Sequence, residues 1–177
     1  ALRIPPYSYL DPIDLLEDAF NNDEAAFVVA LDGVTDPRNL GAIVRSAAAF
    51  GASGVLMTER RAAGMTASAW KSSAGAAARL PIAQVTNLAR TIDEAKKMGC
   101  FVVGLDGESD VKIADMKVAT EPLMLIVGSE GKGLARLTRE KCDIVVSIPI
   151  SATTESLNAS VATSIALYAV DEARRKG

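Results

Sequence analysis

A glycine-containing loop follows the most apolar stretch of the sequence. The run LMLIVG ends at Gly128 and is followed by SEGKG, residues 129–133. Glycines adopt backbone conformations that other residues avoid, and they let backbone N–H groups approach a ligand closely. The order of the glycines excludes the dinucleotide fingerprint G-x-G-x-x-G, and the lack of Ser or Thr after Lys132 excludes a Walker A phosphate loop. The pattern therefore predicts either a ligand-binding loop or a tight turn between a strand and a helix.

Residue types that are absent or scarce limit the chemistry further. The 177 residues contain no histidine, which excludes a Ser-His-Asp triad, a histidine general base and a His-ligated zinc site. Cys100 and Cys142 each border an apolar stretch and are interpreted as buried, reduced thiols, which fits a cytoplasmic protein. A cysteine nucleophile would lack its usual histidine partner. The sequence thus offers little for hydrolysis, and we predict no metal site.

Charge is distributed unevenly along the chain. The net charge of −3 taken alone argues against a nucleic-acid partner. Residues 1–33 carry a net −6, whereas residues 34–80 hold six basic and two acidic side chains, a net +4. Such a basic region could contact phosphates, and a solvated charged surface is the alternative. With one Trp, three Tyr and four Phe, the composition predicts no base-stacking platform.

Strand and helix patterns alternate along the chain and position these residues. The predicted strands are residues 27–32, 54–58, 82–86, 101–107, 123–128 and 143–150. The predicted helices are residues 11–20, 40–50, 87–99, 135–142 and 158–175, with a partly helical segment at 66–78 that Gly75 interrupts. This alternation is typical of an α/β domain with a mainly parallel sheet and helices on both faces. Ligands of such sheets bind at the carboxyl ends of the strands, where the glycine loop begins.

Domain organisation is simple in this interpretation. Residues 1–26 form an N-terminal helical appendage with Asp11 as helix N-cap, and residues 27–177 form a single domain. Pro37 is expected to block helix formation in the loop 33–39, leaving Asn39 to cap the next helix. The last helix is apolar nearly all round, which predicts burial either within one monomer or in a dimer interface.

The ends of the chain and its apolar runs bear on membrane insertion, secretion and processing. No apolar run approaches the roughly 18 residues that span a membrane, and no signal peptide is visible. A first residue other than Met suggests a processed or truncated product.

Three stretches, in order, resemble the motifs of the SpoU (TrmH-like) RNA ribose 2′-O-methyltransferases. They are residues 32–51, 123–150 and 155–168, and residues 73–91 are also similar. The resemblance is nearest to bacterial enzymes that methylate a guanosine of 23S rRNA. It implies S-adenosylmethionine as cofactor, S-adenosylhomocysteine as product, a homodimer and a C-terminal trefoil knot, a SPOUT fold. Knots are so rare that no pattern argument would propose one.

The resemblance also implies a site. Its cofactor-binding residues would be Gly104, Val127, Gly128, Ser129, Gly133, Ile148, Leu157 and Asn158. Its catalytic residues would be Arg45, Asn39, Glu130, Ser156 and Asn158, and RNA would contact Arg38, Arg45, Arg60, Arg61 and Lys71.

Each implied catalytic residue also has a simpler interpretation. Arg45 stays protonated, so we expect it to stabilise negative charge on the attacking oxygen and to bind phosphate; a surface ion pair is the alternative. Asn39 could cap its helix or orient the substrate. Glu130 could anchor Arg45 or bind loop N–H groups. Ser156 and Asn158 could hydrogen-bond ribose or cofactor, or cap the last helix.

Other functions remain open at this point. A tRNA 2′-O-methyltransferase fits the same motifs, as does a catalytically silent RNA-binding or ribosome-assembly module on the same fold. A nucleotide-dependent oxidoreductase is disfavoured by the glycine order. Many members of the family carry an N-terminal RNA-recognition domain, whereas only 26 residues precede the first strand here. Either that domain is missing or the basic region selects the RNA.

Overall fold

A computed structural model of the protein describes residues 5–22 and 25–177, and strands and helices alternate throughout that part of the chain. The strands are β1 (Phe27–Asp32), β2 (Gly54–Thr58), β3 (Ile82–Val85), β4 (Phe101–Leu105), β5 (Leu123–Gly128) and β6 (Ile144–Val146). The helices are α1 (Pro12–Asn22), α2 (Pro37–Ala49), α3 (Ala67–Ser72), α4 (Leu88–Lys97), α5 (Arg136–Lys141) and α6 (Ala159–Lys176). Short 3₁₀ helices lie at Ala76–Ala78 and Ile113–Asp115. Residues 1–4 and 23–24 of the predicted N-terminal appendage lie outside the described residues.

All pairings between these strands are parallel, in the order β3-β2-β1-β5-β4-β6. The two central strands run in register from Phe27 opposite Leu123 to Asp32 opposite Gly128. Both are buried almost throughout, as continuous apolar runs require in a parallel sheet. The α/β prediction is confirmed, and the loops after β1 and β5 begin side by side at the carboxyl edge.

Helices cover the sheet on both faces. Alternate residues of β1 point to opposite sides, so Val29 packs with Ile43 and Leu167, from α2 and α6, in one core cluster. Val28 packs in the second cluster with Leu16 of α1 and other apolar residues, including Ile92 of α4. Asp11 caps α1 as predicted, since its Oδ1 accepts hydrogen bonds from the backbone N–H groups of residues 13 and 14 at 2.8 and 3.1 Å.

Helix α2 begins three residues earlier than predicted. Its N-cap is Asp36, whose Oδ1 accepts the Arg38 backbone N–H at 2.8 Å, and Pro37 occupies the first helical position. Proline is favoured there because the first turn leaves its N–H groups without helical partners anyway. The prediction that Pro37 blocks the helix and Asn39 caps it is therefore wrong. Asn39 lies within the first turn and is buried.

The edge strand β6 is shorter than the predicted 143–150. Its last residue, Val146, pairs with Leu105, where β4 also ends, two residues before the predicted boundary. Beyond this point Ser147 bonds to a loop instead: its N–H donates to Val111 O and its carbonyl accepts from Ile113 N–H, both at 2.8 Å. The sheet ends there because the partner strand ends, and residues 147–158 are released as a loop at the carboxyl edge.

Helix α6 combines a buried face with an exposed apolar stripe. Ala166, Leu167 and Val170 are fully buried, whereas the stripe, Val161, Ile165 and Tyr168, is exposed. The predicted burial on more than one side is thus incomplete within a single chain. Although α6 has 18 residues, no helix of the described part of the chain has the length and apolarity to cross a membrane.

Candidate cofactor pocket and active site

A cavity of about 490 Å³ opens at the carboxyl edge of the sheet, where the chain leaves β4, β5 and β6. Its walls are residues 105–108, 127–133 and much of 148–157, closed by two alanines of α6. Small-molecule sites usually enclose about 300–1,000 Å³. Eight of the predicted site residues line this cavity: Val127, Gly128, Ser129, Glu130, Gly133, Ile148, Ser156 and Leu157.

The glycine loop is both a tight turn and a wall of the cavity. Ser129 and Gly133 exchange two backbone hydrogen bonds, of 3.1 and 2.9 Å, and Gly131 and Gly133 have φ of 77° and 64°. A Cβ on Gly128 would lie 2.2 Å from the Gly133 carbonyl carbon, far inside van der Waals contact. The loop therefore closes in this form only because residue 128 is glycine.

Gly104, the remaining glycine assigned to the cofactor, does not line the cavity. A Cβ at this position would meet Leu134 Cδ1 at 2.6 Å and Cys142 Sγ at 2.8 Å, so Gly104 permits close packing on the opposite side of β4. Residues 105–108 line the cavity in its place. The alternation of side chains along a strand could have shown that Leu105, not Gly104, faces this side.

Sequence reasoning also missed much of the charge in the cavity. Four carboxylate residues, Asp106, Glu108, Glu130 and Glu155, and one cation, Lys132, line the walls. Asp106 forms an ion pair with Arg139 of α5, and its Oδ1 accepts the Glu108 backbone N–H at 3.0 Å. The excess of negative charge favours a ligand that carries positive charge. A carboxylate directly after a strand, as Asp106 is after β4, was the available signal.

Glu130 connects the cavity to two helices. Its Oε1 accepts hydrogen bonds from Asn39 Nδ2 at 2.7 Å, from Asn158 Nδ2 at 3.2 Å and from the Ala159 backbone N–H at 3.2 Å. Three of the predicted catalytic residues thus come together. Within one chain Glu130 contacts neither Arg45 nor the N–H groups of the glycine loop, because its donors belong to α2 and to the start of α6.

Asn158 serves as the N-cap of α6 while it donates to Glu130. Its Oδ1 accepts the backbone N–H groups of Ser160 and Val161 at 2.9 and 3.3 Å. The capping interpretation therefore holds for Asn158, which borders the cavity without lining it. Ser156 lines the cavity and, within the described residues, makes no side-chain hydrogen bond.

Arg45 lies outside the cavity, exposed on α2. No side-chain hydrogen bond or ion pair joins it to another described residue, so the surface ion pair considered for it does not form. It lies on the helix that Asn39 ties to Glu130. A single chain brings together Asn39, Glu130 and Asn158 but leaves Arg45 apart from them.

Both cysteines are free thiols, and their surroundings raise the pKa of each. Burial, with a smaller contribution from the charge of Asp143, raises the pKa of Cys100 to about 12. Burial likewise raises the pKa of the half-buried Cys142 to about 11. Both thiols stay protonated at neutral pH and are poor nucleophiles. Across residues 5–22 and 25–177 no three potential metal-ligating side chains cluster.

Comparisons with known proteins agree with this architecture. A sequence model of the SpoU rRNA methylase family matches residues 26–168. A protein from Mycolicibacterium gilvum described as an uncharacterized tRNA/rRNA methyltransferase is 54% identical over 175 residues, which cover 99% of this chain and 55% of the relative. The chain thus spans about half the length of such relatives.

Two solved structures illustrate the structural similarity. An AdoMet-bound rRNA methyltransferase from Sinorhizobium meliloti superposes with a TM-score of 0.84 at 28% identity, covering 94% of this chain and 61% of that one. An RNA 2′-O ribose methyltransferase superposes with a TM-score of 0.77 at 25% identity, covering 88% of this chain and 58% of that one.

Proposed function

The chain belongs to the SpoU rRNA methylase family, and from this premise we propose that it transfers a methyl group from S-adenosylmethionine to a ribose 2′-hydroxyl of RNA. The expected acceptor is a guanosine of 23S rRNA, and the expected location is the cytoplasm. One observation carries the proposal: a single cavity combines a glycine loop, an apolar wall and several carboxylates, and Glu130 ties it to the helix that bears Arg45.

The cavity suits S-adenosylmethionine in size, polarity and charge. Apolar side chains of Val127, Ile148 and Leu157 form a wall that can hold adenine, with the backbone of the glycine loop at its edge. The carboxylates of Glu108 and Glu155, which form no ion pair with a described residue, favour the positive charges of the amino group and the sulfonium. When bound, this cofactor supplies an electrophilic methyl group on its sulfur.

Arg45 provides the positive charge that the acceptor needs. A ribose hydroxyl is a weak acid, and negative charge develops on its oxygen as it attacks. An arginine guanidinium cannot act as a base, but its fixed fork of N–H donors can hold both a phosphate and the developing alkoxide. Because no described side chain pairs with Arg45, its donors stay available for RNA.

Asn39, Glu130 and Asn158 position the other groups. One oxygen of the Glu130 carboxylate accepts hydrogen bonds from the side-chain amides of both asparagines. These bonds fix the positions of the glycine loop, α2 and α6 relative to one another. Ser156, next to this group and lacking a side-chain partner among the described residues, remains available to hydrogen-bond ribose or cofactor. This arrangement supports the assignment of all four to the site.

A second copy of the chain would complete the site. The exposed stripe of α6, Val161, Ile165 and Tyr168, flanks α2: Ser46 and Ser164 hydroxyls lie 2.7 Å apart, and the Phe50 and Tyr168 rings are in edge contact. Burying this stripe against a second copy removes apolar surface from water. We include in the proposal a homodimer in which Arg45 reaches the pocket of the partner. The trefoil knot stays a prediction from the family resemblance.

A tRNA acceptor is the second candidate, because the description of the M. gilvum relative names both tRNA and rRNA. Methyl transfer from labelled S-adenosylmethionine to separate pools of 23S rRNA fragments and tRNA transcripts distinguishes the two. We expect transfer to a single rRNA fragment. Transfer to tRNA alone would move the assignment to the second candidate. Binding of RNA and of S-adenosylhomocysteine without any transfer would favour a catalytically silent module.

A further inference from the structure

Trp70 occupies an unusual position on α3. It is the only tryptophan of the sequence, yet 44% of its surface is exposed. Its ring lies 6.0 Å from that of Tyr7, which in turn lies 4.9 Å from that of Tyr9. Tyr7 Oη donates to Ala77 O at 3.1 Å and the Met65 N–H donates to Tyr9 Oη at 2.8 Å. Segments on both sides of α3 thus hold this aromatic cluster in place.

The basic side chains of residues 34–80 lack partners within the described part of the chain. Among the described residues, none of the six basic residues of 34–80 forms a side-chain hydrogen bond or ion pair: Arg38, Arg45, Arg60, Arg61, Lys71 and Arg79. All seven ion pairs of the described chain instead join residues between 93 and 176. Because no described acid pairs with these six cations, they are available to bind a polyanion.

The cluster also lies close to the helix that carries Arg45. Helix α3 packs against α2 at Gly41, where a Cβ would come within 2.3 Å of Ala69 O. Arg38 and Arg45 lie about one helical turn on either side of Gly41, and Lys71 follows Trp70 directly. An exposed aromatic ring and cations thus lie together, one helix away from Arg45.

We propose that Trp70 is a stacking site for one unpaired base of the RNA substrate, a base that neighbours the methylated nucleotide. The inference rests on the proposed function for the identity of the polymer. An exposed indole with adjacent cations provides what single-stranded RNA binding requires, a π-face and phosphate contacts. The composition concealed this site, because the three aromatic residues are few in number but adjacent in the fold.

Tryptophan fluorescence tests the proposal directly, since Trp70 is the only indole of the protein. The protein is titrated at low salt with a 12-nucleotide oligoadenylate, and in parallel with an abasic ribose-phosphate oligomer of equal length and charge. We expect saturable quenching by the oligoadenylate. The abasic oligomer should bind through the cations and leave the emission nearly unchanged. Equal quenching by both oligomers, or binding without quenching, would overturn the proposal.

Variants separate stacking from general RNA binding. Trp70→Leu should weaken oligoadenylate binding, measured by anisotropy of a labelled oligomer, about tenfold, the lower range for one stacked base. Trp70→Phe should restore most of the affinity. The matched control Phe101→Leu removes a similarly exposed aromatic ring at the start of β4, a strand separated from β2 by β1 and β5, and should have no effect. Undiminished binding by Trp70→Leu, or its conversion from dimer to monomer in sedimentation, would refute the stacking site.

The outcomes also distinguish this inference from the proposed function. Trp70→Leu should retain its affinity for S-adenosylhomocysteine and lose methyl transfer mainly through a raised KM for RNA. If the unmutated protein methylates RNA and Trp70→Leu has the same KM, only the stacking site fails. If the unmutated protein binds no RNA and transfers no methyl group, both fail.

Discussion

At the scale of single residues, the Glu130 carboxylate is the group on which the arrangement of the site depends. It accepts hydrogen bonds from Asn39 and Asn158, and it accepts the first N–H of α6. An ionised acceptor with several donors makes stronger hydrogen bonds than a neutral one. Loss of any donor should therefore loosen the wall of the cavity as well as the helix it belongs to.

Asn158→Ala removes both the cap of α6 and one donor to Glu130. We expect the affinity for S-adenosylhomocysteine, measured by calorimetry, to fall at least tenfold, about 1.4 kcal/mol. Asn87→Ala is the matched control: Asn87 caps α4 by accepting the Arg90 N–H at 3.0 Å and does not line the cavity. Each variant should lose about 1 kcal/mol of stability as an N-cap. Equal cofactor affinity in the two variants would contradict a role for Asn158 in the site.

The buried thiol of Cys100 predicts a pH dependence of stability. Its pKa is about 12 in the folded protein against 9.0 for an exposed thiol, so unfolding releases a proton between these values. The free energy of unfolding should thus be retained below pH 9 and fall as the pH rises toward 12. The contribution of this thiol is at most about 1.4 kcal/mol per pH unit. Urea unfolding of Cys100→Ala between pH 8 and 10.5 should show a shallower slope than the unmutated protein, and an identical slope would contradict this assignment.

At the scale of elements, the crossing of α2 and α3 determines where the basic and aromatic residues lie. It depends on a glycine within a helix, where alanine would otherwise be favoured by about 1 kcal/mol. The helix contact requires glycine at position 41, because an added Cβ would lie 2.3 Å from Ala69 O and 2.5 Å from Ser72 Cβ. Contact between the helices therefore outweighs helix propensity.

Gly41→Ala should lower the free energy of unfolding by about 2 kcal/mol or more, since α3 would have to move away from α2. Ala49→Gly, at the exposed last position of the same helix, should lose less than the roughly 1 kcal/mol that glycine costs in a helix interior. Chemical denaturation of both variants measures these changes. A gain of stability in Gly41→Ala would show that the two helices are not in the contact described here.

Most elements were predictable because their signals are local. The apolar run of β5, the cap Asp11 and the interruption at Gly75 each depend on neighbouring residues. The end of β6 was not predictable, because it is determined by where β4 stops pairing. Nor was the partner of Glu130, because Asn39 lies 91 residues away in the sequence. The Pro37 error was avoidable, since proline at the first helical position is a known helix-start signal.

At the scale of the whole molecule, the uneven charge distribution can be recognised from the sequence alone, whereas the grouping of the aromatic residues cannot. The basic region of residues 34–80 is visible from composition and remains unpaired among the described residues. Tyr7 and Trp70 come together only through the fold. Pocket formation is likewise a property of the fold, because three strand ends must meet at one edge before their loops can enclose a ligand.

The exposed stripe of α6 predicts how the protein assembles. Ile165→Asp should place a charge in the proposed dimer interface, convert dimers to monomers in sedimentation velocity and reduce methyl transfer at least a hundredfold. Leu137→Asp, which alters an equally prominent apolar residue on α5, should leave both properties unchanged. A monomeric unmutated protein with full activity, or an active Ile165→Asp monomer, would contradict the assembly of the site from two copies.

The central claim is that a methyl group passes to a ribose 2′-oxygen with the help of Arg45, and nucleoside analysis of the methylated RNA tests it most directly. RNA is incubated with methyl-labelled S-adenosylmethionine and either the unmutated protein or Arg45→Ala, digested, and separated into nucleosides. We predict label in a single 2′-O-methylnucleoside with the unmutated protein. With Arg45→Ala we predict essentially none, while its affinity for S-adenosylhomocysteine stays within a few-fold. Label on a base, or undiminished transfer by Arg45→Ala, would contradict the account.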